Sequence, residues 1–475
     1  MSILDTPYYR SLVQDNLIIA EFQLALFPLL QFRDEALPEA WGENTGDTKI
    51  FTANGLLPTR TAPIRQGDEP PVANYGREQW AVTQQAYGTS IDTNVPTATQ
   101  AAVNLLLQDI KELGRAAGRS INQIARNVMY NAALSGHTVC YGGSGGSTVT
   151  IPVLRLNGLT RARRPDLAAG SPVRYDTVSV SNPLPIRWGA TLSTTALVVG
   201  YTPTFTGDEI GPGTITLAVA ASIADRDPIV ADTATWIRRS GGGNSVDSLS
   251  TSDLLTFADL REALARLGNM NIPRHADGYY HGHFDSISSN QIFSDTEWRQ
   301  LTETRVDGIQ YQEHAIGQKL NTVWYKNEES PTPYTVNLPN GQTDGTAGDQ
   351  FRPTVDNFAG ELYSNGDPAS GVAVHRTLIT GGEGLREYYV DQDAYITEAG
   401  TTGKISDCPL VTAGAVQMAT TNAHIKLIQR APLDRRQQTV SNTWSYDGAF
   451  VERTDGASGD GRYFKRVAVV EHGRP

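Results

Sequence analysis

The longest regular pattern of apolar and polar positions occupies residues 97–136, TATQAAVNLLLQDIKELGRAAGRSINQIARNVMYNAALSG. Val103, Leu107, Ile110, Gly114, Ala117, Ile121, Ile124, Val128 and Ala132 recur at spacings of three and four, which holds one stripe on one side of an α-helix. Pro96 with Thr97 or Thr99 marks its start, and Gly136, then Gly142 and Gly143, its stop. About 40 residues at about 1.5 Å each would reach roughly 60 Å, against a mean globular helix of about 11 to 12 residues. Gln108, Lys111, Arg115, Arg119, Gln123 and Arg126 lie off the stripe, so one face should pack on a sheet or partner while the rest stays wet.

Ahead of this helix, residues 17–32, LIIAEFQLALFPLLQF, are apolar but short for a membrane span. Glu21 and Pro28 interrupt them, and no basic stretch or cleavage site precedes them. They read as the amphipathic part of a mostly helical arm, whose apolar face a lone subunit would leave uncovered. Residues 46–94 change to strand alternation: Lys49 to Thr52, an Asn54-Gly55 turn, a polar tip over 58–76, and a return through 78–92 with Trp80 and Val82 alternating against polar neighbours. Two strands around so long a tip predict an extended hairpin, since loops of that length are uncommon unless functional.

Beyond the helix, the glycines of 142–146 and 241–243 bracket short β-rich runs with Gly, Pro and Asp turns, which predicts an inserted β-rich domain. Its basic run, Arg155, Arg161, Arg163 and Arg164, reads as a solvated edge. Thr256-x-x-Asp259 is a capping box opening a helix with Leu260, Leu264 and Leu267, ending near Gly268 with Pro273 beyond. A strand over 278–284, a helix over 290–301, a strand over 306–325 and a Gly/Asp/Asn-rich stretch over 337–371 follow. The chain closes with strands over 425–429, 440–446 and 463–470.

The 475 residues leave room for sizeable cores in two to four domains, and 45 Gly with 25 Pro fit many turns between strands. A formal net charge of -12 argues against a surface that grips DNA or RNA throughout, which needs clustered Lys and Arg. Two cysteines, Cys140 and Cys408, without CxxC spacing, support neither a disulfide scaffold nor a zinc module.

Candidate chemistry is sparse. His281-x-His283-x-Asp285 echoes the metal loop of metallo-β-lactamase-like hydrolases, because two strand residues separated by one point the same way. Ser286 stands where that pattern wants a further His, so the run reads either as a structural pair of strand histidines or as a metal-dependent hydrolase site. GGSGGS at 142–147 lacks the Lys of a phosphate loop, and no GxGxxG or GxSxG occurs. No catalytic residue, cofactor or metal is assigned, and the first reading is a structural protein, not an enzyme. A metal-dependent hydrolase using His281, His283 and Asp285, and a β-rich binding module, are the alternatives.

HADGYYHGHFDSISSNQIFSDTEWRQL from His275, then EHAIGQKLNTVWYKN, resembles the central region of major capsid proteins of tailed bacteriophages. REQWAVTQQAYGTSIDTN before the helix, and IKLIQRAPLDRRQQTVSNTWSYDGAF and RYFKRVAVVEHG near the end, are similar to the same group, as is the order of parts. The resemblance implies an α+β capsid fold: N-terminal arm 1–45, extended loop 46–94, spine helix of the peripheral domain 95–140, inserted β-rich domain 141–250, axial domain with part of the peripheral domain 251–405, and C-terminal strands 406–475 completing the peripheral domain. It implies a subunit forming hexamers and pentamers of an icosahedral shell, assembled in the host bacterial cytoplasm and enclosing double-stranded DNA without sequence-specific binding. A separate scaffolding protein, a portal and a decoration protein are the implied partners; no membrane is. Arm and loop would meet neighbouring subunits, making Leu17, Ile18, Phe22, Leu26, Phe27, Arg60, Arg65, Asp68, Glu69, Arg77 and Trp80 the expected contact residues.

Overall fold

A computed structural model describes residues 17–41, 46–54, 61, 63–70, 77–94, 105–140, 146–164, 173–204, 206, 209–303, 315–327, 374–390, 416–420, 424–430, 439–452, 454–455 and 464–473. Two compact units divide the chain, one from residues 1–50, 81–126 and 385–451, the other from 51–80, 127–384 and 452–475.

In the first unit, helix α1 (Leu17–Leu26) lies against helix α2 (Leu105–Ala133), the long helix of the sequence pattern. The predicted start of α2, with Thr97, Thr99 and Val103, lies outside the described residues. Gly114 and Gly118 let the two backbones approach: a Cβ at Gly114 would stand 2.7 Å from the Phe22 carbonyl oxygen, and one at Gly118 would stand 2.9 Å from that of Leu26. The close approach buries Phe22 and Leu26, and Leu30 and Phe32 follow them into the core. The Phe32 amide donates to Asn122 Oδ1 at 2.7 Å, and Lys111 pairs with Glu21 at 3.2 Å. The arm's apolar face is therefore covered by its own chain, which corrects the expectation that a lone subunit leaves it open. Only the first half of α2 follows the one-sided pattern: Arg115 and Arg119 are exposed, whereas Arg126, expected wet, is buried, as is Asn122.

The six-stranded sheet of this unit runs Ala36–Trp41, Leu385–Val390, Thr439–Glu452, Lys426–Arg430, Val416–Thr420, with Gln85–Asn94 pairing Thr439–Glu452 as well. Ala36–Trp41 belongs to the arm predicted as mostly helical and runs parallel to Leu385–Val390. Below it, Arg33 donates from Nε and Nη2 to the Glu387 carboxylate, with Nη2 2.7 Å from Oε1, and Tyr446 donates to the same oxygen at 2.8 Å. Burial, then the Glu387 charge, pushes the Tyr446 phenol well above its usual range, so it stays a donor.

The second unit holds the β-rich insertion and a mixed sheet. In the insertion, His137–Val139, Pro228–Ala231, Leu184–Trp188, Thr194–Pro203, Gly213–Ala221 and Thr148–Val153 form one sheet in that order. Its two ends meet: Cys140 bridges Val153, and the Leu154 amide donates to the Val139 carbonyl at 3.2 Å, closing the sheet into a small barrel. Alternate residues fill the interior, among them Ile151, Val153, Ile186, Val198, Ile215, Leu217 and Ile229. Arg155, expected on a solvated edge, is fully buried and donates to Asn131 Oδ1 at 2.9 Å; Arg161 and Arg164 do lie at the surface, paired with Glu209 and Asp176.

The mixed sheet runs Ile237–Arg239, Val467–Gly473, Val374–Thr380, Tyr280–Phe284, Thr322–Lys326, Ala315–Lys319. Val467–Gly473, expected to complete the same sheet as the other C-terminal strands, is instead a central strand here, buried at every position. Helix α3 (Phe257–Asn269) opens on the predicted capping box, with Thr256 and Asp259 satisfying each other's backbone amides. The single helix expected over 290–301 is two, α4 (Ser286–Ser294) and α5 (Thr296–Glu303), separated by Asp295, which is extended and caps the second through its carboxylate. Between helices and sheet, Phe284 stacks on Trp324 at 4.5 Å and Trp298 meets both edge-on. Gly282 is required at its place, because a Cβ there would lie 2.1 Å from the Trp324 ring.

Candidate functional site

Alternation along Tyr280–Phe284 puts His281 and His283 on one face, as expected, but His281, His283 and Asp285 do not converge on a common point. His281 stacks on His275 with ring centroids 4.0 Å apart and planes 2° from parallel, and its Nε2 lies 2.9 Å from Asp277 Oδ2. His283 is buried and stacks on Tyr325. Asp285 caps α4, accepting the Ser288 amide at 2.7 Å, and its other oxygen accepts from His375 Nδ1. Burial alone would raise this carboxyl, but the His375 and Ser288 contacts outweigh it and hold it below its usual range. His281, His283 and Asp285 therefore do not form one ligand set for a metal-bound water.

Two other buried polar centres were not legible as sites. Glu471 lies between Arg239 Nε at 2.8 Å and Arg376 Nε at 2.9 Å, and the two guanidinium groups hold it ionised against the cost of burial. His137, close by, is pushed down to about 4 by burial first and then by the Arg239 charge, which keeps it neutral. Glu471, Arg239 and Arg376 are buried within the second unit, and His137 is half-buried beside them.

Surface features carry more functional content. At the hairpin tip Arg65, Asp68 and Glu69 are exposed, and the Asp68 amide donates to the Arg65 carbonyl at 3.1 Å, closing a turn. The hairpin strands, Thr48–Asn54 and Arg77–Thr83, continue into a four-stranded sheet through Val173–Thr177 and Arg161–Arg163. Arg77 and Trp80 lie in the second of these strands, and Arg60 lies outside the described residues. In the arm, Leu17 and Ile18 lie in the first turns of α1; Phe27 is 40% exposed and Leu24, absent from the expected contact set, is 74% exposed. Phe22 and Leu26 face α2 and leave the set of surface residues. The signal separating these pairs was in the sequence: Gly114 and Gly118, four apart, mark where a second helix can approach, and only one face of α1 can use that groove.

No family model matches the chain, and no curated protein matches its sequence. Among solved structures the chain is similar to the capsid of Ralstonia phage GP4, at 12% identity and TM-score 0.45, over 93% of this chain and 87% of that one. It is similar also to the capsid asymmetric unit of cyanophage Pam1, at 10% identity and TM-score 0.43, over 94% and 92%. The capsid of cyanophage P-SCSP1u gives 8% identity and TM-score 0.43, over 94% and 88%.

Proposed function

We propose that this chain is the major capsid protein of a tailed bacteriophage, a non-catalytic subunit that joins its own copies into the icosahedral shell around a double-stranded DNA genome. The carrying observation is the hairpin of residues 46–83: its strands are paired, while the described residues of its tip, 61 and 63–70, are all exposed and belong to no core. Such a segment gains free energy only against another molecule. The sequence resemblance and the order arm, hairpin, long helix, inserted barrel and mixed sheet support the same reading.

Neighbouring copies would be met by the tip residues Arg65, Asp68 and Glu69, by Arg60, by Arg77 and Trp80 on the return strand, and by Leu17, Ile18, Leu24 and Phe27 of the arm. Hexamers and pentamers of this chain, a separate scaffolding protein, a portal and a decoration protein are the partners of this reading, with assembly in the host bacterial cytoplasm. A net charge of -12 suits a wall that encloses DNA without gripping it.

The test is replacement of residues 63–70 by a short Gly-Ser turn, read by sedimentation of the purified chain. The expected outcome is loss of large particles with a folded, soluble subunit remaining. Particles of unchanged size and yield would refute the role given to the tip.

A further inference from the structure

Val374–Thr380 and Val467–Gly473 pair antiparallel, with His375 directly opposite His472. The two rings stack at 5.8 Å and 23°, on the sheet face covered by α3 and α4, and both residues are buried. His375 Nδ1 donates to Asp285, and His472 Nε2 is 2.9 Å from the hydroxyl of Ser288, whose amide is bonded to the other oxygen of that same Asp285. Nε2 of His375 is buried with no hydrogen-bond partner among the described residues, while the backbone of Gly473 bonds the His472 ring. From α3, Asp259 faces the pair, but its carboxylate is already held by Arg238 at 2.9 Å and by Ser240. Glu471 and Arg376, the adjacent positions, form their own ion pair.

Asp285 meets the pair on the His375 side, whereas the direct side-chain contact of His472 is the neutral Ser288 hydroxyl, so a proton added to His472 has no carboxylate of its own in contact. We propose that the stacked His375–His472 pair is an acid-operated latch on the C-terminal strand: protonation of His472 loosens Val467–Gly473 from the mixed sheet and opens the second unit locally.

The direction follows from linkage. Burial first, then the His375 charge, pushes His472 down to about 4, whereas a histidine in an opened strand takes its proton below about 6.5. The closed form is therefore fully favoured above about 6.5 and loses ground to the open form as pH falls through that window towards 4.

Amide hydrogen exchange on the full chain, corrected for intrinsic rates, reads this directly. Protection of residues 467–473 should fall roughly hundredfold between pH 7 and pH 4.5. In His472→Gln, which keeps a polar partner for Ser288, the fall should shrink to less than about tenfold. His137 lies in a strand of the barrel and is the same in both proteins, so the difference between them isolates the latch. An equal fall in both, or none in the wild type, would overturn the proposal. Should the variant not fold, exchange of the histidine ring C2 hydrogens in the wild type decides: a midpoint for His472 well below that of an exposed histidine supports the latch, and an ordinary midpoint rejects it.

Discussion

The barrel of the second unit and the open sheet of the first treat their strand edges in opposite ways. In the barrel, the Cys140–Val153 bridge joins first strand to last, and the interior is filled by the barrel's own side chains. In the sheet, Gln85–Asn94 pairs Thr439–Glu452 over ten residue pairs, most of its side chains are exposed, and no further strand joins it among the described residues. Closure removes an edge, whereas an open edge must be blunted or continued by another chain. The polar side chains of Gln85–Asn94 blunt it against indiscriminate pairing while leaving a surface that a matched neighbour can use. The barrel is thus closed on itself, whereas the sheet of the first unit keeps an open edge at Gln85–Asn94 among the described residues.

Buried charge sharpens the contrast most. Glu387 ties Arg33 of the arm and Tyr446 of the long strand to one point in the first unit. Glu387→Ala would strand Arg33 in the core, at about 3 to 5 kcal/mol. In the barrel, Ile229→Ala leaves a cavity, at about 2 to 5 kcal/mol. Thermal unfolding with assembly yield measured on the same samples separates the two. The first variant is expected to lose particles along with stability, and the second to assemble in proportion to its folded fraction. Equal assembly per folded chain in both would break the distinction between the units.

A smaller effect, about 1 to 3 kcal/mol, is expected for Gly118→Leu, whose side chain must displace Leu26 and Leu29 of the arm. Limited proteolysis should then cut within residues 17–29 of the variant first, while the wild type resists there. Resistance unchanged in the variant would show that the arm is held by something other than α2.

The long helix was legible because a three-four repeat survives any context, and the Thr256–Asp259 capping box because both partners are local. Burial of Arg126 and Arg155 was not, since charge alone argues for solvent and only tertiary partners reverse that. Val467–Gly473 carried a readable sign: its apolar run VAVV, without alternation, belongs to a strand covered on both faces. Barrel closure had none, because the residues that meet, Cys140 and Val153, are joined by register and not by local pattern. The metal alternative for His281, His283 and Asp285 fails for a related reason. Period-two alternation aligns side chains on one face, but Asp285 has already left the strand to cap α4.

Cryo-electron microscopy of the purified chain, expressed alone and then with the scaffolding protein of the proposed assembly, tests the central claim most directly. The account predicts closed shells or capsomer rings in which the hairpin tip of one copy lies against the next. A monodisperse, folded monomer under both conditions would contradict it.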